Sequence, residues 1–442
     1  MKSIRHGSVA DAIFGVIQTQ EAAGLALSGP GSSPVFGRLA QPEINQPDEA
    51  QLLTLADSMN EGATGAGQDA DIPAGITFLG QFIDHDLTLD IMSQLGKPAT
   101  NIVPNFRTPV LDLDSVYREG PEQFPYAYDR NFHFVVGTAQ NPGDLQRNDA
   151  GVALIGDPRN DENMFISQLH GAFLRFHNQQ LDQVTGGGKA SEEHFLHAQE
   201  TVRATYQSII TDEYLPAIIA EPVLTPLMDG FWQGALPGPV DWSNTPAISL
   251  EFAAAAFRFG HSQVRSGYQV NNDKGAGLFE LGGFNPVPPD SNVHWNLFFD
   301  FGDGSFQKAR KIDSNVSQAL FEMPDRVAGK DGPSLPFRNL VRGQRTFHLP
   351  YGEDLADAWG MPSKTHDKVK AAGLSKSPLW FYVLAEAEDS GGKLGPVGGT
   401  IVAGTLLNLL LRDANSIAHS DRPKEPGQIT RLVEPSLIET SV

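Results

Sequence analysis

The sequence predicts a mainly α-helical protein with one large core, long loops and very little β structure. Apolar residues recur at helical spacing in several segments, whereas strand-like alternation is short and scarce. Long connections rich in Gly and Pro, at residues 267–293 and 329–336, separate the helical segments. The chain shows no β-α-β rhythm, no Gly-rich nucleotide-binding motif and no internal repeat. We therefore expect a single large helical domain.

The predicted helices begin at residue 76. Apolar side chains return every three or four positions over residues 76–87 and again over 165–176. A polar–apolar helical pattern extends over residues 192–219, and the Ala-rich composition of residues 252–259 favours helix. Residues 397–411 are apolar and include three Gly, which indicates a buried helix with close neighbours.

The N-terminal residues have a different character. Residues 28–34 read SGPGSSP, which is a turn-forming run. We predict an extended arm at residues 1–60 and the helical domain at residues 61–442. Lys2 and Arg5 precede no apolar run, so we expect no secretory signal peptide. The location stays open between the cytoplasm and export by a non-classical route.

Charge and cysteine content exclude several classes of protein. The 442 residues carry 32 Lys and Arg against 53 Asp and Glu, a net charge of −21. This acidity disfavours nucleic acid as a partner, and no apolar run reaches the roughly 18 residues of a membrane span. The chain has no Cys, which excludes disulfide-linked assemblies, Cys nucleophiles and thiolate-bound metals. The oligomeric state stays open.

Polar side chains interrupt the first apolar helix. Gln81, Asp84 and His85 lie three and four positions apart and share one helix face, and Asp86 lies about 100° further round. Unpaired buried polar groups are unfavourable. These residues form either a functional site or a solvated helix face with a satisfied His.

A second polar cluster covers residues 156–163, with the sequence GDPRNDEN. Asn160 or Asp161 could cap the helix that follows. Arg159 and Glu162 are three residues apart and could instead face one site together.

Two further pairs have the same three-residue spacing. Arg258 and His261 share a helix face, and Gly260 leaves room for a large planar group beside the imidazole. Without such a group, His261 is a core histidine bonded to a backbone carbonyl. Asn339 and Arg342 form the second pair, which without a function belongs to the surface.

Oxygen-bearing side chains alternate along residues 108–114. Thr108, Asp112 and Asp114 offer the hydroxyl and carboxylate oxygens that suit Ca²⁺. Such a run on its own is more often a turn.

The motifs, in this order, resemble those of the animal-type haem peroxidases of the peroxidase–cyclooxygenase superfamily, over about residues 73–420. Residues 80–86 are similar to the helix that carries the distal His, and residues 156–162, followed by 175–178, to the catalytic-Arg segment. Residues 257–261 are similar to the proximal-His helix. The remaining matches are 108–117 with the calcium loop, 339–342 and 349–350 with the segment behind the proximal His, and 395–396 with the start of a late helix.

The resemblance implies a haem peroxidase that reduces H₂O₂ to water. Through a ferryl haem intermediate it would oxidise halide, thiocyanate, or small anionic or aromatic donors. His261 would bind the haem iron, and Asn339 would accept a hydrogen bond from its other imidazole nitrogen. His85 would take and return a peroxide proton, and Arg159 would stabilise the developing negative charge. Gln81 would hold a distal water or halide.

The resemblance also implies how the cofactor is held. It would be a derivative of haem b, linked through esters to Asp84 and Glu162. Arg258 and Arg342 would pair with its propionates. Asn163 stands where myeloperoxidase has a haem-linked Met, so that third link is not expected.

A bound Ca²⁺ is implied as well. Its ligands would be Asp86, Thr108, the carbonyl oxygen of Val110, Asp112 and Asp114. Mammalian members have Ser at the position of Asp114, so this chain adds a carboxylate. The ion would tie the distal helix to the loop at residues 108–114.

Two alternatives stay open. One is a fatty-acid dioxygenase or peroxygenase of the same superfamily. Such oxygenases carry a radical-forming Tyr three residues before the proximal His, where this chain has Arg258. The other is a non-catalytic haem-fold adhesion protein. The remaining histidines, His170 among them, are assigned no role, and a solvated helix face is expected for Glu193, His194, His197 and Glu200.

Overall fold

The computed structural model describes residues 35–62, 69–90, 94–99, 103–329, 332–420 and 427–434. Helices dominate these residues, so the mainly helical, single-domain prediction is confirmed. In chain order the α-helices are α1 (Glu49–Asp57), α2 (Gly75–Leu87), α3 (Asp114–Tyr117), α4 (Met164–Thr185), α5 (Glu192–Ile209), α6 (Leu215–Ile218), α7 (Glu221–Trp232), α8 (Leu250–Ala254), α9 (Asp325–Ala328), α10 (Leu335–Val341), α11 (Gly352–Ala358), α12 (Asp367–Ala371), α13 (Leu379–Asp389), α14 (Pro396–Arg412) and α15 (Ile429–Leu432).

The strands are short. They are β1 (Val35–Phe36), β2 (Asp69–Pro73), β3 (Val103–Pro104), β4 (Gly267–Gln269), β5 (Gly275–Gly277) and β6 (Lys308–Arg310). They pair as two-stranded antiparallel sheets, β1 with β3, β2 with β6 and β4 with β5. Such small sheets cannot form a core by themselves.

Most periodic segments fold as their spacing predicts. α2 buries the apolar face at residues 76–87, and α4 includes residues 165–176. The Phe82 ring of α2 stacks on the Phe173 ring of α4, with centroids 4.5 Å apart. α14 is buried along nearly its whole length, and a Cβ on its Gly404 would lie 2.0 Å from Trp242. This close approach explains why a glycine stands there.

The Ala-rich segment departs from the prediction of one continuous helix. α8 ends at Ala254, Ala255 has φ −135° and ψ −74°, and the chain continues as a 3₁₀ segment at Ala256–Gln263. Ala favours helical backbone in general, so composition does not distinguish a continuous α-helix from this interrupted form. Arg258 Nε donates to the carbonyl of Ala253 at 3.1 Å and satisfies one of the groups left by the break.

Residues 1–34 of the predicted arm lie outside the described residues, and the boundary at residue 60 stays a prediction. The part from residue 35 onward is not extended throughout, because α1 forms within it. Leu52 and Leu55 of α1 are fully buried in the main core. Leu39 N donates to Glu251 Oε2 at 3.0 Å, which attaches this stretch to α8.

The elements that carry the predicted site residues pack around α2. α2 packs against α4, against the 3₁₀ turn Pro158–Asp161 and against the segment Ala256–Gln263. None of the helices in the described part is long and apolar enough to cross a lipid bilayer.

Candidate functional site

The polar face of α2 is covered by the turn Pro158–Asp161. His85 is buried, and its Nδ1 lies 2.8 Å from Asn160 Oδ1. Arg159 Nη2 donates to the carbonyl oxygen of His85 at 2.8 Å. Gln81 Nε2 donates to Glu162 Oε1. Residues from two separate sequence motifs thus contact one another.

Arg159 is oriented by a buried carboxylate. Asp157 is fully buried and accepts hydrogen bonds from Arg159 N at 2.9 Å and Nη2 at 2.8 Å. It also accepts from Arg107 Nε at 3.0 Å. Burial would raise the pKa of Asp157, but the charges of Arg107 and Arg159 hold it well below its usual value. Asp157 is therefore ionised and keeps the Arg159 guanidinium in place.

His85 is uncharged in this setting. Burial and the positive charge of Arg159 both lower the pKa of His85. Its neighbour Asn160 also reaches a second imidazole, with Nδ2 lying 3.0 Å from His170 Nδ1. Burial lowers the pKa of His170 to about 3. Sequence reasoning assigned His170 no role, because nothing in its spacing links it to residue 160.

We expected the Gln81 amide to be available for a water or halide, but in the structure both ends of this amide are hydrogen-bonded to other side chains. Its Nε2 is bonded to Glu162, and its Oε1 accepts from Asn163 Nδ2 at 3.2 Å. The expectation that it holds a distal water or halide therefore requires Gln81 to give up one of these partners.

Neither Asn160 nor Asp161 caps α4. Asn163 does so, because its Oδ1 accepts from Phe165 N at 3.1 Å and Ile166 N at 2.9 Å. The Asp161 carboxylate is instead bonded to Arg147, on the far side of the turn.

His261 lies in the 3₁₀ segment and is partly exposed. Asn339 Nδ2 lies 2.9 Å from His261 Nδ1, so the predicted pair is formed. The polarity is opposite to the expectation, because the amide nitrogen donates where the oxygen was expected to accept. The two ends of a carboxamide have nearly the same shape, so either fits at this distance. No atom lies within 4 Å of a Cβ added to Gly260, so there is open space beside the imidazole.

Cationic side chains gather around this space. Burial lowers the pKa of Arg258, while the charges of Asp84 and Asp90 raise it. Burial and the charge of Arg258 lower the pKa of Arg342 to about 9. The Nε of Arg342 is buried and has no hydrogen-bond partner in the described ranges. Arg338 lies one helical turn before Arg342 and was not among the residues predicted from the sequence. Burial and the charge of Arg258 lower the pKa of Arg338.

These features fit a haem. Burial and mutual repulsion lower the pKa values of these arginines, so an anion bound between them would stabilise their charged forms. The two propionates of a haem are anions of this kind. Asp84 and Arg159 act electrostatically on Arg258, and α2 contacts the segment Ala256–Gln263, so the elements that carry His85 and His261 are neighbours. His261 and Gly260 provide an imidazole and room for a planar ring next to it.

The predicted calcium ligands lie against the C-terminal end of α2. Asp86 is fully buried and accepts from Leu113 N and Ser115 N, each at 3.1 Å. Burial and the charge of Asp112 raise the pKa of Asp86 to about 7. Burial also raises the pKa of Asp112 to about 6, against the charge of Arg203. A cation here would compensate these crowded carboxylates.

The remaining predicted calcium ligands, Asp114, Thr108 and Val110, have other hydrogen-bond or ion-pair partners in the structure. Asp114 Oδ2 pairs with Arg107 Nη1 at 2.7 Å. Thr108 and Val110 lie in the same loop, where Val110 N donates to the carbonyl of Thr108 at 2.8 Å. Across the described ranges, no three His, Asp or Glu side chains are grouped closely enough to form a metal site by themselves.

Comparison with known proteins gives a consistent result. The model of the animal haem peroxidase family matches residues 126–282, which include Arg159 and His261 but not α2. A dual oxidase of Drosophila melanogaster is 36% identical over 253 residues, covering 54% of this chain and 15% of that protein. Heme peroxidase 2 of Caenorhabditis elegans is 32% identical over 277 residues, covering 56% of this chain and 38% of that protein. The chain thus spans well under two thirds of either relative.

Solved structures share the fold. Peroxidase A from Dictyostelium discoideum is similar with a TM-score of 0.59 and 18% identity, over 92% of this chain and 93% of that one. A fatty acid alpha-dioxygenase from Oryza sativa is similar with a TM-score of 0.68 and 16% identity, over 93% of this chain and 82% of that one.

Proposed function

We propose that the chain is an animal-type haem peroxidase of the peroxidase–cyclooxygenase superfamily, which reduces H₂O₂ to water and oxidises halide, thiocyanate or small organic donors. The match of the animal haem peroxidase family model to residues 126–282 supports this proposal. The observation that carries the proposal is a buried His85 whose pKa is lowered by burial and by Arg159, with the Arg159 guanidinium bonded to the carbonyl oxygen of that same residue. A neutral imidazole is a base, and a guanidinium fixed beside it stabilises negative charge.

The chain's own residues account for the movement of the proton. With Nδ1 bonded to Asn160, His85 has Nε2 available to accept a proton from H₂O₂. It then returns that proton to the departing oxygen, which leaves as water. Arg159, held by Asp157, stabilises the negative charge that develops on that oxygen. Bound haem would supply the iron that binds peroxide and the capacity to store oxidising equivalents.

His261 would hold the haem iron through Nε2, the imidazole nitrogen that does not face Asn339. A lone pair on Nε2 places the imidazole proton on Nδ1, so the Asn339 amide must present its oxygen there. The Asn339 carboxamide would therefore be turned by half a turn from its orientation in the structure.

The remaining residues would anchor the cofactor. Arg258 and Arg342 would pair with the propionates, and Arg338 lies close enough to add to that positive field. Asp84 and Glu162 would form the ester links. In the structure the Asp84 carboxylate accepts from Thr88 Oγ1 at 2.8 Å and the Glu162 carboxylate accepts from Gln81 Nε2.

A Ca²⁺ ion would be bound by Asp86, Thr108, the carbonyl of Val110, Asp112 and Asp114. The crowding that raises the pKa of Asp86 to about 7 supports a cation at this place. Asp114 would have to share its carboxylate with Arg107.

The test combines spectra and substrates. The haem-loaded chain should show a Soret band that shifts on addition of H₂O₂, and it should then oxidise iodide, bromide, thiocyanate or a small phenol. A band that does not respond would favour the non-catalytic adhesion protein. Oxygenation of a fatty acid without turnover of the small donors would favour the dioxygenase. Arg258, rather than Tyr, three residues before His261 disfavours that second outcome.

A further inference from the structure

Asn160 lies between two imidazoles behind the polar face of α2. Its Oδ1 is 2.8 Å from His85 Nδ1, and its Nδ2 is 3.0 Å from His170 Nδ1. Asn160 and His170 are fully buried and His85 is 5% exposed. The three side chains form a continuous chain of hydrogen bonds that ends at His85.

The two ends of the carboxamide are chemically different. The oxygen only accepts a hydrogen bond and the nitrogen only donates. Oδ1 opposite His85 Nδ1 therefore places the imidazole proton on Nδ1 and leaves the lone pair on Nε2. Nδ2 opposite His170 Nδ1 requires the reverse tautomer there, with the lone pair on Nδ1 and the proton on Nε2.

His170 is suited to fix the direction of the amide. Burial lowers its pKa to about 3, so it stays neutral, and with its proton on Nε2 it presents Nδ1 as the acceptor for Asn160 Nδ2. Its ring packs edge-on against Phe82 of α2, with centroids 6.1 Å apart. The Nε2 atom is buried and has no hydrogen-bond partner in the part of the chain that the structure describes. Nδ1 is thus the atom through which His170 acts on Asn160.

The opposite orientation of the amide would prevent base catalysis. Nδ2 would then face His85 Nδ1, the lone pair would be used there, and the proton would occupy Nε2. An imidazole protonated on Nε2 cannot accept the first proton of H₂O₂ with that atom. The direction of a single carboxamide therefore decides whether His85 can act as the base.

We propose that Asn160 is a positioning residue that holds His85 in the Nδ1–H tautomer, and that His170 orients the Asn160 amide for this task. The inference rests on the proposed peroxidase function for its purpose, but the tautomer itself is a property of the chain. After His85 accepts a proton on Nε2, the same Oδ1 continues to accept from Nδ1–H, so the amide need not move during the reaction.

The direct test is ¹⁵N NMR of the full chain, labelled at histidine and carrying zinc protoporphyrin IX in place of haem. The closed-shell metal leaves the resonances sharp, and a protonated imidazole nitrogen resonates far from one with a lone pair. His85 and His170 signals are assigned by their loss in His85→Gln and His170→Phe. We expect Nδ1–H at His85 and Nε2–H at His170, which are opposite tautomers.

Variants separate orientation from mere filling of space. Asn160→Leu keeps the volume but has no acceptor, so His85 should populate both tautomers. Asn160→Asp keeps an acceptor oxygen and should retain Nδ1–H. In His170→Phe the Asn160 amide loses its hydrogen bond to His170 and can adopt either orientation, so His85 should again show both tautomers. The haem-loaded Asn160→Leu enzyme should react with H₂O₂ at least about tenfold more slowly, with donor oxidation after that step unchanged.

Gln168→Leu is the matched control. Like Asn160→Leu, this change removes a buried carboxamide, but the Gln168 amide lies on α4 and has different partners. These are the carbonyl of Ser291 at 3.1 Å and the amide N–H of Val293 at 2.8 Å. Its His85 tautomer and its rate with H₂O₂ should equal those of wild type.

The outcomes are distinguishable. An Nε2–H tautomer at His85 in wild type, or an unchanged tautomer in Asn160→Leu, overturns the inference whatever the activity. If the tautomers follow the expectation while wild type shows no reaction with H₂O₂, the positioning role stands and the peroxidase function fails.

Discussion

The Oδ2 atom of Asp157 accepts from two nitrogens on one edge of the Arg159 guanidinium, Nη2 at 2.8 Å and Nε at 3.2 Å. The same carboxylate accepts from Arg107, whose other arm pairs with Asp114 of the predicted calcium loop. A line of alternating charges therefore connects that loop to the residue that faces the peroxide in the proposed reaction. The turn Pro158–Asp161 is fixed between them.

Asp157→Asn should reduce both activity and stability. The amide removes the negative charge that Arg107 and Arg159 share, so the two guanidinium groups repel each other, although Arg107 keeps its pair with Asp114. Breaking a buried ion pair on one side costs about 3 kcal/mol, and misplacing Arg159 should lower turnover about a hundredfold. Turnover with H₂O₂ at saturating donor and urea unfolding measure the two effects.

Asp69→Asn is the control for that change. Asp69 pairs with Arg265 at 2.6 Å, but this pair lies at the surface, with Asp69 exposed and Arg265 partly exposed. Exposed pairs contribute at most about 1 kcal/mol, so this variant should be close to wild type in both assays. Equal losses in the two variants would remove any special role of Asp157.

The links to the cofactor give a second prediction. If Asp84 and Glu162 form esters, acidic organic solvent should fail to extract the haem from mature wild type. The double variant Asp84→Asn, Glu162→Gln should release it under the same conditions. The readout is the haem absorbance of the organic layer, and mass spectrometry of the tryptic peptides locates any retained haem.

Glu193→Gln, on the exposed face of α5, is the matched control and should retain haem like wild type. Haem freely extracted from wild type that has been cycled with H₂O₂ would refute the ester links and leave the arginine contacts as the anchor.

The calcium proposal predicts a coupled loss. Asp86→Ala and Asp112→Ala should each lower the Ca²⁺ content, measured by elemental analysis after gel filtration, and the peroxidase turnover. Asp86 directly follows His85 near the end of α2. Without Ca²⁺ the loop at residues 108–114 would no longer hold this end of the helix, so the position of His85 would be less well fixed and turnover should fall. Asp129→Ala, in an exposed turn, should change neither. Full activity in calcium-free protein would contradict the structural role of the ion.

Much of this site could be predicted because each motif is local. Helical spacing places Gln81, Asp84 and His85 on one face whatever the rest of the chain does. The contact between Asn160 and His170 has no such local rule, since it depends on how the turn Pro158–Asp161 docks on α4. The break at Ala255 was missed for a related reason, because it is set by packing and by the Arg258 side chain rather than by propensity.

Amide orientation is the finest detail that sequence could not predict. The pair of Asn339 and His261 was expected, and the two side chains do lie 2.9 Å apart. Which end of the amide faces the imidazole depends on where the imidazole proton is, and that is determined by what binds Nε2. Sequence fixes the partners of such a hydrogen bond but not its direction.

A last prediction concerns pH and Glu386 of α13. Burial raises the pKa of Glu386 to about 7, although its carboxylate accepts from Val397 N and Gly398 N at the start of α14. Because the ordinary value is 4.5, the folded chain binds this proton more tightly than the unfolded chain does. The resulting stabilisation is complete below about pH 4.5 and is lost as the pH rises through about 7.

Glu386→Gln should remove this dependence, because glutamine keeps an acceptor oxygen for α14 and has no proton to lose. Relative to wild type, its free energy of unfolding should rise between pH 4.5 and 8 by an amount on the order of 3 kcal/mol. Urea unfolding followed by Trp fluorescence across that range measures the difference, with Glu193→Gln as the exposed control that should run parallel to wild type. If Glu386→Gln also runs parallel to wild type, the carboxyl is already ionised at the start of α14 throughout the range, and the helix N-terminus rather than burial controls its charge.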